Sequence, residues 1–234
     1  MGAIYRREMG AFFTSGIAYV FLAVFWMVSG FMFYANCITQ GTSDISYVFQ
    51  SMFLICIIMI PVLTMRLFSE EKKQKTEQGL LTAPVSLGEI VFGKYFAAVT
   101  LYAIGLLVFY LYAMILSAFG TVEWGIVFSN YLALLLMGMA FIAVGTMISS
   151  LTENQISAFV LTLISLLVLY MIDVIQSLVN VEWINKLLGM LSFYKRYYSV
   201  TCGLFNVSTI VFYLSVAVIF NYLTIRVFER RRWS

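Results

Sequence analysis

The residues that could do chemistry in this chain are few, and their spacing argues against an active site. Its 234 residues include no histidine, which removes the usual general base, proton shuttle and metal ligand. The three cysteines, Cys37, Cys56 and Cys202, form no CxxC pair and so no zinc or redox motif. Cys37 and Cys202 could share one outer face and pair there, but unreactive thiols are the simpler expectation. Gly88-Glu-Ile-Val-Phe-Gly93-Lys94-Tyr95 nearly repeats the phosphate-binding pattern GxxxxGK[ST]. It fails at Tyr95, which stands where a small hydroxyl would ligate Mg²⁺. Lys94 then reads as a positive flank at a membrane surface. Thirteen methionines would suit Cu(I), yet they are scattered without an MxxM array, and packing or lipid contact accounts for them. Asp173 is the one acid inside an otherwise apolar stretch and a candidate for lining a translocation path, because an intramembrane charge is a functional hypothesis by default. It falls about 25 Å along a helix from Ile156, near the outer headgroups, where a charge costs little. No catalytic residue, cofactor or metal site is expected.

The elements that must carry these residues are set by hydrophobicity. The chain is 62% hydrophobic and only 11% charged, against about 25% charged in ordinary soluble domains. A soluble domain of this size could not hide that much apolar surface. Charge-free runs separate Glu8 from Asp44, Asp44 from Arg66, Lys94 from Glu123, Glu123 from Glu153, Glu153 from Asp173 and Arg196 from Arg226. Each is at least ~19 residues, enough to cross the hydrocarbon as a helix. Backbone in lipid must satisfy its own hydrogen bonds, and the alternation of a barrel strand is absent. The expected fold is therefore all-α and polytopic, with six transmembrane helices over 17–38, 47–67, 91–116, 127–148, 156–175 and 209–227. The first run is too long for a signal-peptide core, so it is expected to be retained. Before it, Tyr5, Met9 and Phe12 share one helical face while Arg6, Arg7 and Glu8 crowd the other, which predicts an N-terminal interfacial helix over 4–13. Gly138, Gly145 and Ser149 suit close helix packing in the fourth span.

Basic residues orient the spans. With a cytoplasmic N-terminus, the inner side holds Arg6, Arg7, Arg66, Lys72, Lys73, Lys75, Lys94, Arg226, Arg230, Arg231 and Arg232, and the outer side only Lys186, Lys195 and Arg196. Both termini are thus expected inside, with the arginine cluster drawn to anionic lipid. The outer stretch 179–206 mixes Trp183, Leu187, Leu188 and Phe193 with Tyr194, Tyr197 and Tyr198, and predicts a re-entrant hairpin dipping into the outer leaflet. Between the second and third spans lies the most informative segment. Pro61 removes a backbone donor and should kink the second span. A mixed-charge stretch follows, suited to a helix on the inner face that meets a soluble partner.

That segment resembles the loop of type-2 ABC exporter permeases, P-x-L-T-M-R-x-x-x-E-E-[KR]-x-x-G-T-x-E-x-L-L-T-x-P. The chain supplies Pro61, Leu63, Thr64, Met65, Arg66, Glu70, Glu71, Lys72, Thr76, Leu80, Leu81, Thr82 and Pro84. It departs at Lys75 for Gly, Gln78 for Glu and Gly79 for Leu. Arg7-Glu8 followed by 12–19 resembles the family's opening segment, with Gly16 where Pro is usual. Ser149 to Gln155 resembles its fourth-to-fifth inner loop, and Arg226 to Trp233 its C-terminus. Within the family, the likeness is nearest to gliding-motility-type permeases. The resemblance implies one membrane domain over 1–234, with a coupling segment at 68–90 and the outer hairpin at 179–206. It implies a second permease copy or paralogue and two copies of a separate cytosolic ABC ATPase subunit in the cell membrane, with no nucleic-acid partner. It implies ATPase coupling through Arg66, Glu70, Glu71, Lys72, Lys73 and Thr76, joined by Thr152, Glu153 and Asn154, and a path at the dimer seam lined by the second and fifth spans. A membrane scaffold or sensor using the same docking loop is the alternative. Peptide, lipid, drug and polysaccharide cargoes all fit.

Overall fold

The computed structural model describes residues 1–74, 85–178, 183, 188–189, 191–204 and 206–233. Among these, helices account for nearly all regular structure and no strand occurs. α1 spans Gly2–Thr14, and Gly16, at φ +75°, turns the chain into α2, Ile17–Phe33. A side chain at that left-handed position would be strained. α2 ends in a π-helical turn, Tyr34–Ile38. α3 (Ser46–Thr64) returns to the starting end and the short α4 (Ser69–Lys73) follows it. α5 (Leu87–Leu106) and α6 (Val108–Ser117) cross together, α7 (Trp124–Leu151) returns and α8 (Gln155–Leu178) crosses again. α9 (Tyr194–Thr201) is a short helix at the far end, and α10 (Val207–Trp233) closes the chain.

Among the described residues, six stretches are long and apolar enough to span a membrane: Ile17–Ile38, Ser46–Lys73, Leu87–Ser117, Trp124–Leu151, Gln155–Gln176 and Val207–Arg231. The protein is a multi-pass all-α membrane protein, as the apolar runs predict. α7 is the central post, with 72% of its span window buried within the chain, whereas only 17% of the window of α8 is buried. Small residues let α7 take that place. A Cβ on Gly138 would stand 2.1 Å from the Tyr102 ring, and one on Gly145 2.2 Å from Thr64 Oγ1, so α5 and α3 approach it at distances only glycine allows.

Two details differ from the sequence expectation. The third span is not one uniform helix: it breaks at Leu107. Trp26 Nε1, from α2, donates to the Gly105 carbonyl at 3.0 Å, taking the acceptor that a regular ladder would offer to Phe109. The turn tightens there, with Leu107 N bonding Ile104 O. The N-terminal helix also finds protein as well as any interface: Phe12 is buried, and Tyr5 Oη donates to Thr100 Oγ1 at 3.1 Å. Of the outer hairpin, α9 is described, while 179–182, 184–187, 190 and 205 lie outside the described residues. Cys37 and Cys202 are both free thiols.

Candidate functional site

The site is built from α5 outward. Ser86 caps that helix, its Oγ accepting from Glu89 N at 3.3 Å, which fixes the register of the residues that follow. The whole stretch from Gly88 to Tyr95 is therefore helical, and no loop remains to cradle a phosphate. Gly93 gives α1 room to cross: a Cβ there would sit 2.9 Å from Ile4 Cγ2. That crossing carries Arg7 and Glu8 over Lys94.

Lys94, expected as a surface flank, is instead the hub. Its side chain is only 2% exposed. Nζ donates to Leu67 O at 2.8 Å and pairs with Glu71 at 3.0 Å and Glu8 at 3.1 Å. Its three ammonium protons thus have three acceptors, and Nζ lies 5.3 Å from the centre of the Phe68 ring. Arg7 completes the set, meeting Glu71 at 2.8 Å and Glu8 at 2.7 Å. Burial opposes the Arg7 charge, but the hydrogen bonds and charges of Glu8 and Glu71 outweigh it and raise its pKa above the ordinary arginine value. Two cations and two anions close a neutral network joining α1, α4 and α5. A buried charge persists only when paired in this way.

α7 supports the turn between α3 and α4 from the other side. Ser149 Oγ accepts from the backbone N–H of Phe68 and Ser69, at 3.1 and 3.2 Å, and donates to Met65 O at 3.3 Å. Pro61 lies in the last turn of α3, just before the helix gives way at 65–68. Arg66 grips Glu70 through both guanidinium and carboxylate forks. Lys72 pairs with Glu153 at 3.1 Å, so the second-to-third segment and the fourth-to-fifth loop meet directly. Thr152 and Asn154 shape that loop: Thr152 Oγ1 donates to Ile148 O at 3.2 Å, and Asn154 Oδ1 accepts from Ile156 N at 3.0 Å. Lys73 is exposed. Thr76, with Lys75, Leu80, Leu81, Thr82 and Pro84, lies outside the described residues.

Asp173 sits at the opposite end. One carboxylate oxygen accepts from Ser192 Oγ and the other from Tyr194 N at 3.0 Å. Ser192 Oγ in turn accepts from Lys195 N at 3.2 Å. The acid therefore ties α8 to the first turn of α9, where a negative charge also meets the positive end of a helix. Tyr197 Oη anchors α9 to α3 by donating to Phe49 O at 2.6 Å, and Tyr213 Oη joins α10 to it through Phe193 O at 2.8 Å.

Sequence reasoning brought together Glu70, Glu71, Lys72 and Glu153 but missed Arg7, Glu8, Lys94 and Ser149 as their partners. The available signal was the Arg7-Glu8 pair beside a lone lysine flanked by Phe92 and Phe96. What this face presents is a charged platform braced by α1, α5 and α7. A family model described as ABC-2 family transporter protein matches residues 39–225. No curated protein matches the chain.

Proposed function

The chain belongs to the ABC-2 transporter family and is its membrane component; from that premise we propose that it is the permease subunit of an ATP-driven exporter whose ATP is hydrolysed on a separate cytosolic subunit. In this reading the charged end faces the cytoplasm with both termini. The permease pairs with a second copy or paralogue in the cell membrane, and two ATPase subunits dock on α4 and the 152–154 loop. The carrying observation is the Lys94 network. Force applied to α4 reaches α1 through Arg7 and Glu8, α5 through Lys94, and α3 through the Ser149-braced turn beside Pro61. A cleft of about 360 Å³ beside α4, lined by Arg7, Arg66, Glu70, Glu71, Gln74 and Lys94, gives a partner side chain somewhere to enter. Asp173 serves the path by positioning α9. The likeness to gliding-motility-type permeases belongs to this same proposal.

Reversing Glu70 and Glu71 tests docking, but Glu71 also holds the hub, so Lys73→Glu is the cleaner variant. Tagged wild-type permease should bring down a nucleotide-hydrolysing partner, and Lys73→Glu should recover less of it while folding normally. Equal recovery from both proteins, with equal partner ATPase activity, would remove α4 from the docking surface.

A further inference from the structure

At the end opposite the charged platform, three segments, 42–50, 121–127 and 198–203, surround a cavity of about 600 Å³. That volume falls within the range of small-molecule sites. Its lining carries two carboxylates, Asp44 and Glu123, and two tyrosines, Tyr47 and Tyr198, with Ser46 and Gln50 between them. No lysine or arginine is among its described lining residues, although the chain as a whole is basic, at +3. Arg196, close by in sequence, is turned away: it lies 4.5 Å from the centre of the Phe212 ring and donates to Ser208 Oγ at 3.1 Å.

Behind this lining, Asn130 is fully buried, one turn beyond Ile126 and Val127 of the cavity wall. Its Nδ2 donates to Ser46 Oγ at 3.4 Å, and its Oδ1 has no hydrogen-bond partner among the described residues. A smaller, apolar cavity of about 310 Å³, lined by Phe33, Ile115, Leu116 and Phe119, shares Thr42 and Ser43 with the first.

We propose that this pair of cavities binds an organic cation bearing an apolar group, and that the exporter's cargo belongs to this class. The second half rests on the exporter reading. Two carboxylates with no lysine or arginine beside them in the described lining attract a cation and repel an anion. Tyrosine faces add the attraction of a ring quadrupole for an ammonium group. A bare metal ion is the poorer fit, because no three acidic or cysteine side chains group as ligands among the described residues. The apolar cavity takes the hydrocarbon portion.

The test uses the full chain in zwitterionic-lipid nanodiscs, with empty nanodiscs subtracted, and titrates benzyltrimethylammonium, tetramethylammonium and benzenesulfonate calorimetrically. Saturable binding is expected for benzyltrimethylammonium, weaker binding for tetramethylammonium and none for benzenesulfonate. Asp44→Asn with Glu123→Gln should weaken the first by about tenfold. Tyr198→Leu should weaken it about threefold, while Tyr198→Phe, which keeps the ring, should bind as wild type. No saturable binding, equal binding of the sulfonate, or an unchanged double variant overturns the site. Recovery of the ATPase partner, measured on the same proteins, separates the two readings. A partner without cation binding sinks this inference alone, whereas cation binding without a partner keeps the site and removes its link to export.

Discussion

The two ends of this molecule are held together by different forces. At the charged end, α1, α4, α5 and the α7–α8 loop are joined by ion pairs, two of them made by the buried Lys94 and the others more exposed. At the other end, α3, α8, α9 and α10 are joined by neutral hydrogen bonds, one carboxylate and a run of aromatic contacts: Phe53 lies 5.1 Å from Tyr194, 5.5 Å from Tyr197 and 5.8 Å from Phe141, centroid to centroid. The pairs at a buried cation such as Lys94 resist parting, because that would leave a buried charge uncompensated. Aromatic contacts slide at small cost, each worth roughly 0.5–1.5 kcal/mol beyond burial. In the proposed reading, one end takes up force and the other rearranges around a guest.

The comparison breaks most directly at Lys94. Lys94→Ala leaves Glu8 and Glu71 to share the half-exposed Arg7 in place of two cations and strips the Leu67 carbonyl of its donor. Losing one partner of a buried ion pair costs about 3–5 kcal/mol, so we expect a loss of that order in an SDS-unfolding titration. Removing the conflict as well, with Lys94→Met plus Glu71→Gln, should recover part of it. A cost below about 1 kcal/mol would mean that the hub is solvated and the charged end no stiffer than the other.

At the far end, Tyr197→Phe deletes a buried hydrogen bond and leaves the Phe49 carbonyl without that donor, while keeping the ring stacked near Phe53. The expected cost is about 1–3 kcal/mol, smaller than at Lys94. A larger cost than Lys94→Ala would reverse the ranking of the two ends.

How much of this was legible in the sequence follows the same division. The spans were legible because hydrocarbon thickness imposes a run length that needs no tertiary information. Pro61, Glu70, Glu71 and Lys72 were legible because a block of mixed charge straight after an apolar run that ends near a proline must lie outside the hydrocarbon. The break at Leu107 was not, since its cause is Trp26 on another helix, and no proline or glycine pair marks it. Lys94 was hidden for a similar reason. A lysine at the end of an apolar stretch looks the same whether its ammonium faces headgroups or two carboxylates brought from 23 and 86 residues away along the chain. Asp173 stands out by composition, but its partners lie across a segment whose fold cannot be read from composition.

Asp173→Asn is the smallest perturbation and the one that separates anchoring from passage. The amide can accept from Tyr194 N and donate to Ser192 Oγ, a hydroxyl that also accepts, so the shape is retained and what is lost is the negative charge at the start of α9. We expect about 1 kcal/mol or less in global stability. The local consequence should be clearer. Loosening the first turn of α9 lets the helix fray, and Cys202 lies immediately beyond its last residue. Cys202 is exposed while Cys37 and Cys56 are buried, so alkylation by a membrane-impermeant maleimide reports on α9 alone. Its rate should rise several-fold in Asp173→Asn, and also in Tyr197→Phe, which frees the same helix from the α3 side. If Asp173→Asn left the alkylation rate unchanged, α9 would be held by its aromatic contacts, and the carboxylate would be available to meet whatever passes.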